Sequence, residues 1–330
     1  MLILGHDEVR AVLDGQEDLV LAAVRDAYVH HAAGRTVLPH SVFLRFPGQP
    51  RDRVIGLPGF LDGDDPTAGM KWIASFPGNV AAGLERASAA IILNSTRTGR
   101  PVALVEGSVI SARRTAASAA LAAATLRSPY PETGVALVGT GVIAAEVLRF
   151  LRVVNPALRD VTVFDLDRTR AESFAARAGA VGVTVADGLD AAIGAHRLVV
   201  LATTAGVPHT DLSACRPGTL VLHLSLRDVV VDAVLAAVNV VDDEDHVCRA
   251  DTSVHLTEQQ VGHRRFIAAT LPDLLAGGRV HQREPDRVTL FSPFGLGVLD
   301  LAVAAAVVRR ARQRELGTEL PGFLPAAETA

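Results

Sequence analysis

The sequence predicts an α/β fold in which helices cover both faces of a doubly wound parallel sheet. In the central part of the chain, short apolar segments alternate with helical patterns, which is typical of parallel strands joined by helices. A glycine-rich turn follows the first of these strands, and an acidic residue ends the second. The predicted strands span residues 135–138, 161–164, 183–186, 198–202 and 220–223, and the predicted helices 142–154, 167–179 and 189–195.

The glycine-rich turn follows the pattern G-x-G-x-x-A, which is typical of Rossmann dinucleotide-binding domains. Gly139 permits a tight turn, Gly141 lets the backbone approach a pyrophosphate, and Ala144 lets strand and helix pack closely. Unpaired N–H groups at the start of the helix then face the anion. The alternative is a strand, turn and helix that bind no nucleotide. The cofactor-binding residues predicted in this turn are Gly139, Thr140, Gly141, Val142 and Ile143.

Asp165 and Arg168 bear on the choice between NAD and NADP. Asp165 ends the second strand, 24 positions after Gly141. A carboxylate there accepts hydrogen bonds from the ribose hydroxyls and repels a 2′-phosphate, so the sequence favours NAD. Arg168, just beyond, leaves NADP open as an alternative.

Polar residues follow two further strands, at the edge where open α/β sheets bind their ligands. Thr203 and Thr204 follow one strand, and Ser225 follows the strand at 220–223. We therefore expect these three hydroxyl groups to lie against the nucleotide. Asp228 belongs either to the same site or to a surface or helix-capping position.

Composition excludes several classes of function. A net charge of −4 provides no basic excess for nucleic acid, and the apolar runs are interrupted before they reach membrane-spanning length. The N-terminus lacks the pattern of a secretory leader. Cys215 and Cys248 are too few for a disulfide framework, and we expect both to be reduced. These observations predict a cytoplasmic protein that binds neither nucleic acid nor membrane.

Lys71 is the only lysine among 32 Lys and Arg residues. An ammonium group can lose its proton at tolerable cost, whereas a guanidinium cannot, so Lys71 is a candidate for acid–base chemistry. The alternative is a lysine that survives by accident in an arginine-biased chain. Arg113 and Arg114 lie in the first turns of a predicted helix, where positive charge opposes the helix dipole. A bound anion would offset that placement; two solvated arginines are the alternative.

The segments on either side of the central part predict a mixture of strands and helices. Strands are predicted at 2–4, 41–45, 68–75, 88–93 and 101–106, the last two forming a hairpin, and helices around 19–27 and at 108–127. Turns or breaks are expected at 47–50 and 56–60, and a linker at 128–134.

Two segments near the C-terminus have different patterns. The acidic run at 242–248 predicts a solvated loop, because its spacing fits no structural zinc site. Residues 288–297 form a glycine-rich turn that leads into an apolar helix through 308, with Asp300 inside it.

Four segments together resemble the ornithine cyclodeaminase/mu-crystallin family over nearly the whole chain. They contain Lys71, residues 111–117, the turn at 138–141, and residues 291–300. Within the family, residues 70–79, 87–94 and 250–256 are most similar to the branch that makes 2,3-diaminopropionate for siderophores and peptide antibiotics. The resemblance implies NAD-dependent oxidation of N-(1-amino-1-carboxy-2-ethyl)-glutamate, followed by hydrolysis to 2-oxoglutarate and L-2,3-diaminopropionate.

The resemblance also implies a homodimer of two-domain subunits. Residues 1–128 and 295–330 would form a discontinuous α+β domain for substrate binding and dimerisation. Residues 129–294 would form the NAD-binding Rossmann domain.

Site roles follow from the same resemblance. Lys71 and Arg114 would contact the substrate, Lys71 and Asp228 would act in proton transfer, and Gly295 and Gly297 would lie beside the nicotinamide. Residues 39–41 lack an arginine that several family members use to bind a substrate carboxylate. Arg45 is expected to supply that charge, because it lies on the same strand face as Ser41.

Other activities of the family remain open at this point. Ornithine cyclodeaminase, ketimine reductase and alanine dehydrogenase are alternative enzymes, and a non-catalytic binding protein similar to mu-crystallin is an alternative of another class.

Overall fold

The computed structural model describes residues 1–178, 182–278 and 281–325. The chain divides into two compact units, one formed by Met1–Arg114 with the segment from Leu296 onward, and the other by Thr115–Gly295. The chain passes from the first unit to the second after Arg114, inside a helix. The domain boundary predicted from the sequence lies later, at the proline-rich segment after residue 128. The substrate and cofactor roles of the two units stay predictions.

The N-terminal segment of the first unit alternates between helices and strands. Its strands are β1 (Leu2–Leu4), β2 (Thr36–Val37), β3 (Val42–Phe46), β4 (Gln49–Leu61), β5 (Thr67–Ser75), β6 (Ala87–Asn94) and β7 (Pro101–Glu106). Its helices are α1 (His6–Leu13), α2 (Glu17–Ala32) and α3 (Ser108–Thr125), with a 3₁₀ turn at Pro77–Ala82. Helix α3 continues into the second unit.

The second unit contains the predicted alternation of strands and helices. Its strands are β8 (Leu126–Arg127), β9 (Gly134–Val138), β10 (Asp160–Phe164), β11 (Val183–Val185), β12 (Leu198–Leu201), β13 (Leu220–His223), β14 (Val238–Val241), β15 (Ile267–Thr270), β16 (His281–Gln282) and β17 (Thr289–Ser292). Its helices are α4 (Val142–Val154), α5 (Arg168–Arg177), α6 (Leu189–Ile193), α7 (Val231–Ala236), α8 (Glu244–Val247), α9 (Ser253–Val261) and α10 (Leu271–Ala276). The predicted end of α5, at residue 179, lies outside the described residues.

The large sheet of this unit is parallel, with the order β11-β10-β9-β12-β13-β17-β14-β15. Strands β9, β12 and β13 are buried along their whole length, as expected for a sheet covered on both faces. The chain moves outward from β9 through β10 and β11, and then returns to pair β12 on the other side of β9. The predicted doubly wound sheet is therefore confirmed, and its direction reverses between β9 and β12.

The chain returns to the first unit with α11 (Gly297–Gln313) and β18 (Thr318–Glu319). The sheet of this unit has the order β18-β1-β7-β6-β5-β4-β2, with β3 paired to β4, and it is antiparallel except between β1 and β7. Helix α11 packs across β4, β5 and β6 and against α2. Its buried apolar side chains, such as Val303 and Val307, stabilise the unit by removing apolar surface from water.

The predicted break at 56–60 is wrong, because these residues lie inside the long strand β4. The expected turn at Pro47 and Gly48 is present, but Gln49 and Pro50 already belong to this strand. A Cβ at Gly56 would lie 3.2 Å from the Trp72 ring, and one at Gly59 would lie 3.1 Å from Val298 Cγ1. The glycines therefore serve close packing of the strand rather than a change of direction.

The predicted solvated loop at 242–248 is also wrong. Residues 244–247 form helix α8, and the side chains of Asp242, Val247 and Cys248 are buried. The segment folds inward because Asp242 accepts hydrogen bonds from the turn that follows β17. The described residues hold no group of three His, Cys, Asp or Glu side chains arranged to bind a metal ion.

Both cysteines are free. Burial raises the pKa of Cys215 and that of Cys248 to about 12, so neither thiol ionises near neutral pH. Among the described residues, none of the helices combines the length and apolar character needed to cross a membrane.

Candidate active site

The turn between β9 and α4 fits the pyrophosphate of a dinucleotide. Gly139 has a φ of +88°, and a Cβ there would lie 2.5 Å from the Ala202 carbonyl oxygen. At Gly141 nothing lies within 4 Å of where a Cβ would be, so the backbone is open to approach. Helix α4 has no side-chain cap at its N-terminus. Its first N–H groups are therefore free to donate to an anion.

Asp165 is held at the end of β10 beside this turn. The Thr140 amide and hydroxyl donate to Asp165 Oδ2 at 2.9 and 2.8 Å, and the Asp167 amide donates to Oδ1 at 3.1 Å. The carboxylate is partly exposed and keeps acceptor capacity for ribose hydroxyls. Val142 and Ile143, in the first turn of α4, complete the predicted pyrophosphate segment.

Arg168 does not present a free cation beside Asp165. Its Nε donates to Glu172 at 3.0 Å and its Nη1 to Asp187 at 3.1 Å. A guanidinium that already has two carboxylate partners is a poor receptor for a 2′-phosphate. The residues of this region therefore fit NAD.

A second cluster forms around Asp228, at the ends of β12 and β13. Asp228 is fully buried and accepts hydrogen bonds from the hydroxyls of Thr203 and Ser225. His209 Nε2 lies 3.1 Å from its Oδ1, and His223 Nε2 lies 3.2 Å from its Oδ2. Asp228 is therefore a buried carboxylate with four side-chain partners, and it is neither a surface residue nor a helix cap.

Hydrogen bonds determine the charge of Asp228. Burial alone would raise the pKa of this carboxyl group, but its contacts with His223, Ser225 and Thr203 together hold the pKa well below its usual range. Asp228 is therefore ionised at neutral pH. It has no exposed surface, whereas the His209 side chain is 36% exposed.

Neither His209 nor His223 was predicted from the sequence to belong to the site. His209 follows a proline in an irregular segment, and no spacing connects it with Asp228. His223 is a histidine at the end of an apolar strand, a pattern that could have indicated it. Its Nδ1 contacts Ser292 Oγ at 3.1 Å. Thr204, by contrast, is exposed beside Thr203.

Asp242 fixes the turn after β17. Its Oδ1 accepts a hydrogen bond from the Phe294 amide at 2.8 Å, and its Oδ2 accepts one from the Gly295 amide at 2.7 Å. Burial raises the pKa of Asp242 to about 6.

The two glycines predicted beside the nicotinamide occupy different settings. Gly295 has a φ of +91°. Gly297 begins α11 in the first unit, where a Cβ would lie 3.0 Å from the Leu57 carbonyl oxygen.

Lys71 belongs to a buried charge cluster in the first unit. Lys71 Nζ donates to Asp300 Oδ2 at 2.7 Å and to Ser111 Oγ at 3.2 Å. Arg114 Nε donates to the other oxygen of Asp300, Oδ1, at 3.0 Å. Two cations thus share one carboxylate, so the cluster carries one excess positive charge when Lys71 is protonated. An excess positive charge of this kind favours the binding of an anion such as a carboxylate.

Burial lowers the pKa of Lys71 to about 8, and the neighbouring charge of Arg114 acts in the same direction. Asp300 opposes both effects. Lys71 can therefore exchange a proton near neutral pH, which an arginine cannot do. Asp300 was noted in the sequence, but no role was predicted for it. A carboxylate inside an apolar helix is the pattern that could have revealed Asp300.

Arg45 lies outside this cluster. It is exposed, and its guanidinium is 5.8 Å from the centre of the Phe43 ring. In the sheet, Arg45 is opposite Arg53, and Arg53 is opposite Ser75. Arg45 therefore lies on the same sheet face as Lys71, but in the register it is aligned with Ser75 and not with Lys71.

Comparison with known proteins gives a family-level match. Residues 9–315 match the model of the ornithine cyclodeaminase/mu-crystallin family. The N-((2S)-2-amino-2-carboxyethyl)-L-glutamate dehydrogenase of Staphylococcus aureus is 26% identical to this chain, over 97% of this chain and 98% of the relative.

Solved structures agree with this match. The crystal structure of CmnK is 33% identical and has a TM-score of 0.90, covering 98% of this chain and 99% of that one. An archaeal alanine dehydrogenase dimer with bound NAD is 25% identical and has a TM-score of 0.86, again covering 98% and 99%.

Replacing Asp300 should destabilise the first unit. We expect Asp300→Asn to lower the free energy of unfolding by about 3 kcal/mol, because Arg114 loses its buried carboxylate partner. Asp65→Asn is the matched control, since Asp65 pairs with Arg309 in an exposed ion pair, and it should change stability little. Urea denaturation measures both. Equal stability of the two variants would contradict the structural importance of the cluster.

Proposed function

Because the chain belongs to the ornithine cyclodeaminase/mu-crystallin family, we propose that it oxidises N-(1-amino-1-carboxy-2-ethyl)-glutamate and hydrolyses the product to 2-oxoglutarate and L-2,3-diaminopropionate. Two kinds of observation support an NAD-dependent oxidoreductase in general: several relatives are dehydrogenases, and the glycine turn lies beside Asp165. The specific substrate is supported by the Staphylococcus aureus relative and by the excess positive charge at Lys71 and Arg114, which suits a molecule with three carboxylates. The product would serve siderophore or peptide-antibiotic biosynthesis.

The chemistry divides into oxidation and hydrolysis. When bound, NAD supplies the oxidising equivalent by accepting a hydride from the glutamyl Cα. The secondary amine of the substrate must be neutral before that hydride leaves. Oxidation then yields an imine, and one water converts it to 2-oxoglutarate and the amine of diaminopropionate.

Lys71 and Arg114 act on the first step. Arg114 orients the carboxylate next to the carbon that is oxidised, since a guanidinium fork matches a carboxylate. Lys71 Nζ, in its neutral form, accepts the proton of the secondary ammonium group. The lowered pKa of Lys71 makes this form available near pH 8.

Asp228 and His209 act on the second step. Asp228 is buried, so its effect on substrate passes through the partly exposed ring of His209. Asp228 stabilises the imidazolium that forms when His209 takes a proton from the attacking water. His209 then returns this proton to the departing amine.

A turnover assay tests the proposed activity. Purified protein with NAD and the glutamate adduct should form NADH, 2-oxoglutarate and diaminopropionate in equal amounts, measured by absorbance and mass spectrometry. His209→Gln and Asp228→Asn should slow release of 2-oxoglutarate more than NADH formation, because they act after oxidation. Ornithine that is converted to proline and ammonia without NADH, with no reaction of the adduct, would contradict the proposal.

The pH dependence tests the role of Lys71. Because the proton acceptor is its neutral form, kcat/KM for NADH formation should rise about tenfold per pH unit and level off near pH 8. Asp300→Asn should move this limb to lower pH, since Asp300 stabilises the charged ammonium. Circular dichroism confirms that the variant is folded at each pH. If the rise of kcat/KM occurs at the same pH in Asp300→Asn and in the native protein, a group other than Lys71 controls it.

One face of the first unit's sheet supports the proposal of a homodimer. Helix α11 covers the opposite face, where Val298 packs over Gly59. On the uncovered face the register aligns Val42 with Gly56 and Gly56 with Trp72. Val42 is 63% exposed, Trp72 is 40% exposed, and Leu44 and Ile92 extend the apolar surface. An apolar sheet face of this kind is typical of an interface between protein subunits, and the archaeal relative is a dimer.

A charge on that face should separate the subunits. We expect Trp72→Glu to convert a dimer to a monomer in analytical ultracentrifugation, because the carboxylate would be buried without a partner. Val207→Glu is the control, since Val207 is an exposed apolar residue of the second unit, and it should leave the dimer intact. A monomeric native protein, or a dimeric Trp72→Glu variant, would refute this interface.

A further inference from the structure

Arg86 is a partly buried cation without a carboxylate partner among the described residues. It directly precedes β6, and its Nη1 donates to Ser75 Oγ at 2.8 Å. Burial lowers the pKa of Arg86, while the charge of Glu85 opposes that shift. A guanidinium with one neutral partner retains several N–H donors, which favours binding of an anion.

The position of Ser75 places Arg86 on the Lys71 face of the sheet. Lys71 and Ser75 are four residues apart on β5, so their side chains point to the same side. Their Cα atoms are about 13 Å apart at the rise of an extended strand. Lys71 and the Ser75 hydroxyl that contacts Arg86 therefore lie along one side of β5.

The proposed substrate has a carboxylate for this position. Its three carboxylates lie on both sides of the secondary amine, and Lys71 and Arg114 account for that amine and for the carboxylate next to the oxidised carbon. At least one carboxylate at an end of the molecule is therefore left for another cation on the same face, and Arg86 provides one. An amino acid with one carboxylate, such as alanine, has no second carboxylate for Arg86.

We propose that Arg86, oriented by Ser75, binds a substrate carboxylate remote from the oxidised carbon and thereby selects the glutamate adduct over amino acids with one carboxylate. This inference rests on the proposed function. It also gives Arg86 the role that the sequence analysis expected of Arg45, because Arg45 is exposed and stacks on Phe43.

Substitution of Arg86 tests the assignment. We expect Arg86→Gln to raise KM for the adduct about 10- to 100-fold, the effect of losing a charge-assisted hydrogen bond, and to change kcat less than about threefold. Arg86→Lys should restore part of the affinity. Arg25→Gln removes an exposed guanidinium from helix α2 of the same unit and should leave both constants unchanged.

Substrate analogues separate recognition from a structural effect. Each remote carboxylate of the adduct is replaced in turn by a carboxamide, and KM is measured for the native protein and Arg86→Gln. For one of the two amides the proteins should have nearly equal KM values, because the charge that Arg86 recognises is already gone. An equal penalty of Arg86→Gln for the adduct and both amides would overturn the assignment.

Failure of the proposed function gives a different result. If the native protein does not oxidise the adduct, the proposed activity is wrong, and calorimetric binding of the adduct to the NAD-loaded protein decides the role of Arg86. Weaker binding by Arg86→Gln than by Arg25→Gln supports the carboxylate site. Equal binding, or no binding by any form, overturns it.

Discussion

The shared carboxylate of Asp300 is the interaction on which the buried charge cluster of the first unit depends. It brings together Lys71 from β5 and Arg114 from α3, and it comes itself from α11. Two buried cations without this carboxylate would repel each other at high cost in a medium of low polarity. With it, the cluster stays buried and still carries one unit of excess positive charge when Lys71 is protonated. Asp300 therefore makes a buried pair of cations compatible with a folded protein.

Both clusters lower the pKa of their ionisable group, with opposite consequences for its charge. Burial lowers the pKa of Lys71 and favours a neutral amine, whereas hydrogen bonds keep Asp228 ionised despite its burial. Groups with such separated pKa values can divide proton transfers between them. Lys71 is suited to accept a proton from an ammonium group, and Asp228 is suited to stabilise a protonated His209. In the proposed function, oxidation and hydrolysis would thus use separate groups of the chain.

Local patterns predicted most of the fold, because alternating apolar segments and turn residues act over a few positions. They failed where distant residues decide the structure. Gly59 lies in a strand because α11 packs on it, and Asp242 is buried because a turn some 50 residues later donates two amides to it. The site was predictable to a lesser extent. Lys71 was singled out by its rarity, whereas the contacts of His209 and Arg86 depend on residues brought together only by folding.

Arginine is abundant in this chain, so the identity of each cation must be explained by its surroundings. Lys71 is buried beside Arg114 and Asp300, and an ammonium group can lose its proton there whereas a guanidinium cannot. Arg114 and Arg86 keep their charge in buried or half-buried places and offer planar donors to carboxylates. Arg114 shares its charge with Asp300, whereas the Arg86 guanidinium donates to the Ser75 hydroxyl and forms no ion pair within the part of the chain that the structure describes. In the proposed function, a carboxylate of the substrate would therefore supply the negative charge that Arg86 lacks.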